Sequence, residues 1–175
     1  MIQILQHKYF KILVGLGLIA LAVWQFTEDN IGNGIFLIFL AILVFFLLVR
    51  NEYLLAAFFK MRKEDLDGAE RVLSKIKNPE QALIKPQLAY YNMLLGMIYS
   101  RKNINQAEKF LRKALQIGLV LKQDQALAKL SLAGVLMAKR RKREAINLLN
   151  EAKKLDKKGM LKDQIRLMKQ QLKRI

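Results

Sequence analysis

The chain of 175 residues has no cysteine, one histidine, two prolines and only 14 acidic residues against 31 basic ones, for a formal net charge of +17. The lack of cysteine excludes a disulfide framework, a zinc-thiolate site and a cysteine nucleophile. His7 alone cannot build a histidine cluster for a metal. Ser74, Ser100 and Ser131 have no histidine near them in sequence, so a serine hydrolase has nothing to form from. Gly15 and Gly17 lie inside an apolar run, and Gly32 and Gly34 lie in a turn with no lysine after them, which argues against a phosphate loop. Basic residues are not interleaved with aromatics as an RNA-binding platform requires. Low-complexity tracts are also missing and 53% of the residues are apolar, which argues against disorder. The sequence therefore predicts no catalytic residue, no metal, no cofactor and no small-molecule substrate; the expectation is a binding protein, not an enzyme.

Charge and apolar residues are unevenly distributed. Residues 1–50 hold three basic and two acidic residues, a net of +1, whereas residues 51–175 hold 28 basic and 12 acidic, a net of +16. An apolar run covers residues 12–26, or 9–26 if Lys11 snorkels. The 18 residues of the longer version span roughly 27 Å as a helix, near the 30 Å of a bilayer core. A polar, Gly-containing stretch from Thr27 to Gly34 reads as a turn. A second apolar run covers residues 35–49, or 31–49 at its longest. The expectation is a transmembrane hairpin over residues 1–50, with spans at about 9–26 and 31–49. Lys8 and Lys11 before it, Arg50, Lys60, Arg62 and Lys63 after it, and Glu28 and Asp29 in the turn place both ends in the cytoplasm by the positive-inside rule. That predicts a multi-pass protein of the inner or plasma membrane. Two alternatives are a cleaved signal peptide, with Ala20-Leu21-Ala22 as the small-x-small site, and a water-soluble helix pair. Gly15, Gly17, Ala20 and Ala22 are the small residues that would let the two helices approach.

The remainder, residues 51–158, repeats. Ala69, Ala107 and Ala145 are 38 residues apart. Leu73, Leu111 and Leu149 follow four residues later, and Ile76, Ala114 and Ala152 seven residues later. Ala57, Leu95 and Ala133 precede the alanines by twelve, and Met61, Tyr99 and Met137 by eight. Within each copy the spacing is helical, so each is a helix-turn-helix that must stack on its neighbours to bury its apolar face. Asn78-Pro79-Glu80 gives a helix-start signal between the first two copies, with Pro86 a turn later. Residues 159–175 form a last helix with a narrow apolar stripe of Leu161, Ile165, Met168, Leu172 and Ile175, suited to capping a solenoid or docking a partner helix.

This pattern resembles the tetratricopeptide repeat. Leu132, Ala133 and Leu136, then Ala145, Leu149 and Ala152, match the family's two-helix landmarks best; Leu95, Gly96 and Tyr99, then Ala107, Leu111 and Ala114, also fit. The family period is about 34 residues, so the extra four belong to connections, and Phe58 stands where later copies have Gly96 and Gly134. The predicted fold class is thus all-α: a two-helix transmembrane hairpin, an α-solenoid of about three tetratricopeptide-like repeats and a capping helix. The resemblance implies partner binding on the concave face. It implies groove positions at Ala89, Asn92, Gly96 and Tyr99 in copy two and Leu127, Leu130, Gly134 and Met137 in copy three. Asn92, Tyr99, Leu127, Leu130 and Met137 are the candidate partner-binding residues, with the reading as core residues equally open. The carboxylate clamp of some members is not supported, because copy three has Leu and Met at the groove positions.

Lys139, Arg140, Arg141, Lys142 and Arg143 form the densest basic patch, with Lys153, Lys154, Lys157 and Lys158 following. Opposite charge accelerates encounter, so an acidic or membrane-resident protein partner is expected, and nucleic acid is not. The expected function is a membrane-anchored scaffold or adaptor. The alternatives are an accessory subunit or assembly factor of a membrane complex, and a basic domain that binds anionic lipid or nucleic acid.

Overall fold

The computed structural model describes the backbone of residues 8–49 and 52–174 and the side chains of residues 13–44 and 52–173. His7, Arg50 and Ile175 lie outside the described residues, as do the side chains of Lys8 and Lys11. The described chain is all-α. It divides into two compact units, Met1–Glu52 and Tyr53–Ile175.

The first unit is a pair of helices, α1 (Lys8–Thr27) and α2 (Ile31–Val49). Glu28, Asp29 and Asn30 connect them, and Asp29 takes the left-handed conformation (φ 58°) that a tight reversal needs. The Asn30 N–H donates to the Gln25 carbonyl at 3.0 Å and closes the end of α1. The helices pack along a seam of small residues: Gly15 and Ala22 on α1, and Gly34 and Ala41 on α2, are all buried. In each pair the spacing of seven residues returns the side chain to nearly the same face after two turns. A Cβ at Gly34 would lie 2.7 Å from the Phe26 ring, so glycine there permits the close approach. Of the four small residues singled out in α1, Gly17 and Ala20 are exposed and take no part in this seam.

The predicted membrane spans need correction. Among the described residues no helix is long and apolar enough to cross a membrane. Described side chains cover 15 residues of α1 and 14 of α2, roughly 21–23 Å of helix against a bilayer core of about 30 Å. They also include Gln25 and Thr27 at one end of α1 and Asn33 near the start of α2. This overturns the transmembrane hairpin, the integral-membrane assignment and the multi-pass location derived from it.

The second unit holds α3 (Glu52–Arg62), α4 (Leu66–Leu73), α5 (Pro79–Ala82), α6 (Lys85–Tyr99), α7 (Ile104–Ile117), α8 (Lys122–Ala138), α9 (Lys142–Leu155) and α10 (Lys162–Arg174), although the first residue of α3 falls in unit one. Helices α4, α7 and α9 start at residues 66, 104 and 142, again 38 apart. The residue before each start is Asp65, Asn103 and Arg141. Asp65 accepts the Gly68 N–H at 2.8 Å, and Asn103 accepts those of Asn105 and Gln106, as N-caps do. Arg141 makes no such cap; its guanidinium instead bonds Glu144 in the first turn of α9.

The three repeated alanines and the three repeated leucines are all 0% exposed. Helix α6 packs along α7, α8 along α9, α7 against α8, and α4 against α6. Gly96 sets the α6–α7 distance: a Cβ there would sit 2.5 Å from Leu111 Cγ. Fully burying one such leucine is worth about 1.5–3 kcal/mol, and the repeat of that burial holds the unit together. The first copy is cut short. Its second helix, α4, has eight residues where α7 and α9 have 14. Asn78 (φ 48°) and Pro79 then turn the chain into the single turn of α5. Helix α10 packs against α9 and α8, with Leu161, Ile165 and Leu172 buried and Met168 half-buried. Buried Asp156 fixes its start by accepting the N–H groups of Met160 (3.1 Å) and Leu161 (2.7 Å).

Candidate partner-binding surface

The concave-face candidates sit deeper than a partner could reach. Asn92 is 2% exposed, and its side-chain amide donates to the Leu88 carbonyl of its own helix at 2.7 Å. Leu130 and Met137 are buried in the core, and Leu127 is half-buried against it. Of the remaining mapped positions, Ala89 and Gly96 are buried and Gly134 is half-buried. The half-buried Tyr99 ring packs on Phe110 with centroids 5.6 Å apart, and its hydroxyl donates to Glu70 Oε1 at 2.7 Å. Tyr99 thus joins copy two to copy one.

That bond belongs to a recurring polar clasp. Glu70 follows Ala69, and Glu108 occupies the same position after Ala107. Each carboxylate receives cations from the turn of the next copy. Glu70 accepts Lys102 at 2.7 Å, and Asp67 also bonds Lys102. Glu108 accepts Lys139 at 2.6 Å and Arg141 at 2.7 Å, with Arg112 at 2.8 Å from its own helix. Burial pushes the Glu108 carboxyl up, but the bonds from Lys139 and Arg112 and the charges around it bring it down to about 2. The bonds from Lys102 and then Tyr99 hold the Glu70 carboxyl below its usual range, and the bond to Glu70 pushes the Tyr99 hydroxyl up. In copy three the equivalent position is Ile146, which is exposed, so the clasp has no third member.

The clasp divides the basic run. Lys139 and Arg141 are spent on Glu108 and Glu144. Arg140 takes the left-handed turn conformation (φ 58°), and Arg140, Lys142 and Arg143 make no ion pair among the described residues. The five residues are therefore not one continuous cationic surface. The sequence reading missed that Glu108 would reach this turn. A partner 31 or 33 residues away leaves no local pattern, and only the equivalence of positions 70 and 108 signals it.

Two other surfaces are open. Helices α1 and α2 leave many large apolar side chains exposed, among them Leu13, Trp24, Phe36, Phe39 and Ile42. Exposed apolar surface of that extent marks an interaction surface. In the second unit, α9 and α10 flank a cationic depression lined on one side by Lys153 and Lys154. Among the described residues no group of His, Asp and Glu could hold a metal ion. No protein-family model, no curated protein and no solved structure matches the chain.

Proposed function

We propose that the chain is a helical-repeat scaffold of the tetratricopeptide type, without catalysis of its own, that holds a partner protein. One observation supports this reading above the others: the helix starts at 66, 104 and 142 share a 38-residue spacing with the fully buried alanines and leucines. An array of like helix pairs presents an extended rigid surface, which suits holding another chain. With the concave-face positions buried, the outer surfaces of the array carry the contact. To test this, the tagged full chain is purified from its source cells. The expected result is one protein retained through gel filtration at fixed stoichiometry. It should be lost from the Leu111→Ala/Leu149→Ala variant, in which the helix pairs loosen. Retention by that variant, once it is shown to be unfolded, would sink the reading.

The exposed apolar side chains of α1 and α2 favour a second reading, an accessory subunit held in a larger assembly through the hairpin. Under it, Phe36→Ser/Phe39→Ser releases the partner although the repeats stay folded.

A further inference from the structure

We propose that the trough between α9 and α10 is a docking site for an acidic peptide segment of a partner protein. The inference rests on the scaffold reading above and names the surface and the chemistry of what it takes. Two hollows of about 520 and 550 Å³ lie there. Both are lined by Lys153 and Lys169, so they form one continuous trough. Its cations are Lys153 and Lys154 from α9 and Lys162, Arg166, Lys169 and Lys173 from α10. The four on α10 are spaced four, three and four residues apart, which puts them on one face of that helix.

The charges here are unmatched, unlike those of the clasp. Among the described residues Lys153, Lys154, Lys162 and Lys173 have no carboxylate partner, and Lys169 reaches only the amide oxygen of Asn150, at 2.6 Å. The carboxylate in the lining, Asp156, points both oxygens at backbone N–H groups at the start of α10. Asp163 pairs with Arg166 at 3.3 Å on the exposed side. Like charges gathered along one face repel one another, and an acidic chain laid between the helices removes that repulsion. Ile165, buried at the floor, gives such a chain an apolar contact. The shape is that of an elongated channel, and it accommodates a segment of several carboxylates. Its lining has no aromatic side chain on which a base could stack, which favours a peptide over a nucleic acid.

The test measures fluorescence anisotropy of a labelled Glu-rich peptide with interspersed Leu, titrated with the full chain. A single-stranded oligonucleotide of equal net charge serves as the competing probe. Lys153→Glu/Lys173→Glu reverses one free cation on each wall. Lys75→Glu/Lys77→Glu makes the same change in net charge on the turn after α4, and Lys153→Gln/Lys173→Gln removes charge without introducing acid. Unchanged helical circular dichroism establishes that each variant is folded. The proposal expects the trough reversal to weaken peptide binding by about tenfold or more, the Gln pair to weaken it less, and the Lys75/Lys77 pair to leave it within about twofold. Equal weakening by both reversals would show attraction to a general polycation and overturn it. Tighter binding of the oligonucleotide at the trough would overturn it as well. If the peptide binds but is lost only on reversing Arg140, Lys142 and Arg143, the trough fails while the scaffold reading stands. If the chain also has no stoichiometric partner, both fail.

Discussion

The α1–α2 hairpin and the unit from Tyr53 onward both use helices reversed by short turns and packed side by side, yet they distribute their side chains in opposite ways. The hairpin buries its smallest residues, Gly15, Ala22, Gly34 and Ala41, and turns Phe36, Phe39 and Ile42 outward. The repeat unit buries alanine with leucine and turns lysine and arginine outward. Local geometry is therefore a poor guide to what a helix pair needs around it. A small-residue seam brings backbones close but removes little large apolar surface from water, whereas the repeats bury theirs against the next copy.

The sharpest probe of this contrast is truncation of one large side chain in each region. Leu111→Ala should destabilise the repeat unit by about 3 kcal/mol, read from the urea midpoint at unchanged slope. Phe39→Ala in the hairpin, 64% exposed, should shift the same transition by less than about 0.5 kcal/mol. Equal losses would erase the distinction. Next in size, Gly96→Ala should cost about 2 kcal/mol, because the new Cβ meets Leu111 Cγ at 2.5 Å and its backbone nitrogen at 3.1 Å. Gly134→Ala meets only the mobile end of Met168 at 3.4 Å and should stabilise by up to about 1 kcal/mol through helix propensity.

The polar clasp is probed by Glu108→Gln, which should cost about 2 kcal/mol at neutral pH. Its pH signature follows from a carboxyl brought down to about 2 in the folded state. Such a group stabilises the fold above its unfolded value of about 4.5, and the contribution fades as pH falls from there toward 2. Urea midpoints at several pH values should show this fading in the wild-type chain and much less of it in the Gln variant. The smallest effect is that of Tyr99→Phe, about 1 kcal/mol, for loss of the hydroxyl bond to Glu70.

The repeats were legible because alanine and leucine at fixed intervals admit one packing, and the helix starts follow the same interval. The turn chemistry was partly legible as well: Asn78-Pro79 does start a helix, but only one turn of it. Two parts of the candidate site were hidden for physical reasons. Asn92 looks like a surface hydrogen-bonder, but the Leu88 carbonyl satisfies its amide inside the core, and no sequence pattern separates those environments. Lys139 and Arg141 look like part of a cationic patch until Glu108 arrives from the previous copy. The hairpin misled in another way. Apolar composition reports that side chains avoid water and leaves open what they meet instead.

Ile146 stands where the two preceding copies place Glu70 and Glu108. An oily side chain cannot grip an incoming lysine or arginine, so the stack carries its own stop signal. A lengthened version, with one more block of 38 residues inserted ahead of the final helix, would need a glutamate restored at that position before the added block could latch on. The length of the molecule is thus written in a single residue on α9, as well as in the number of blocks.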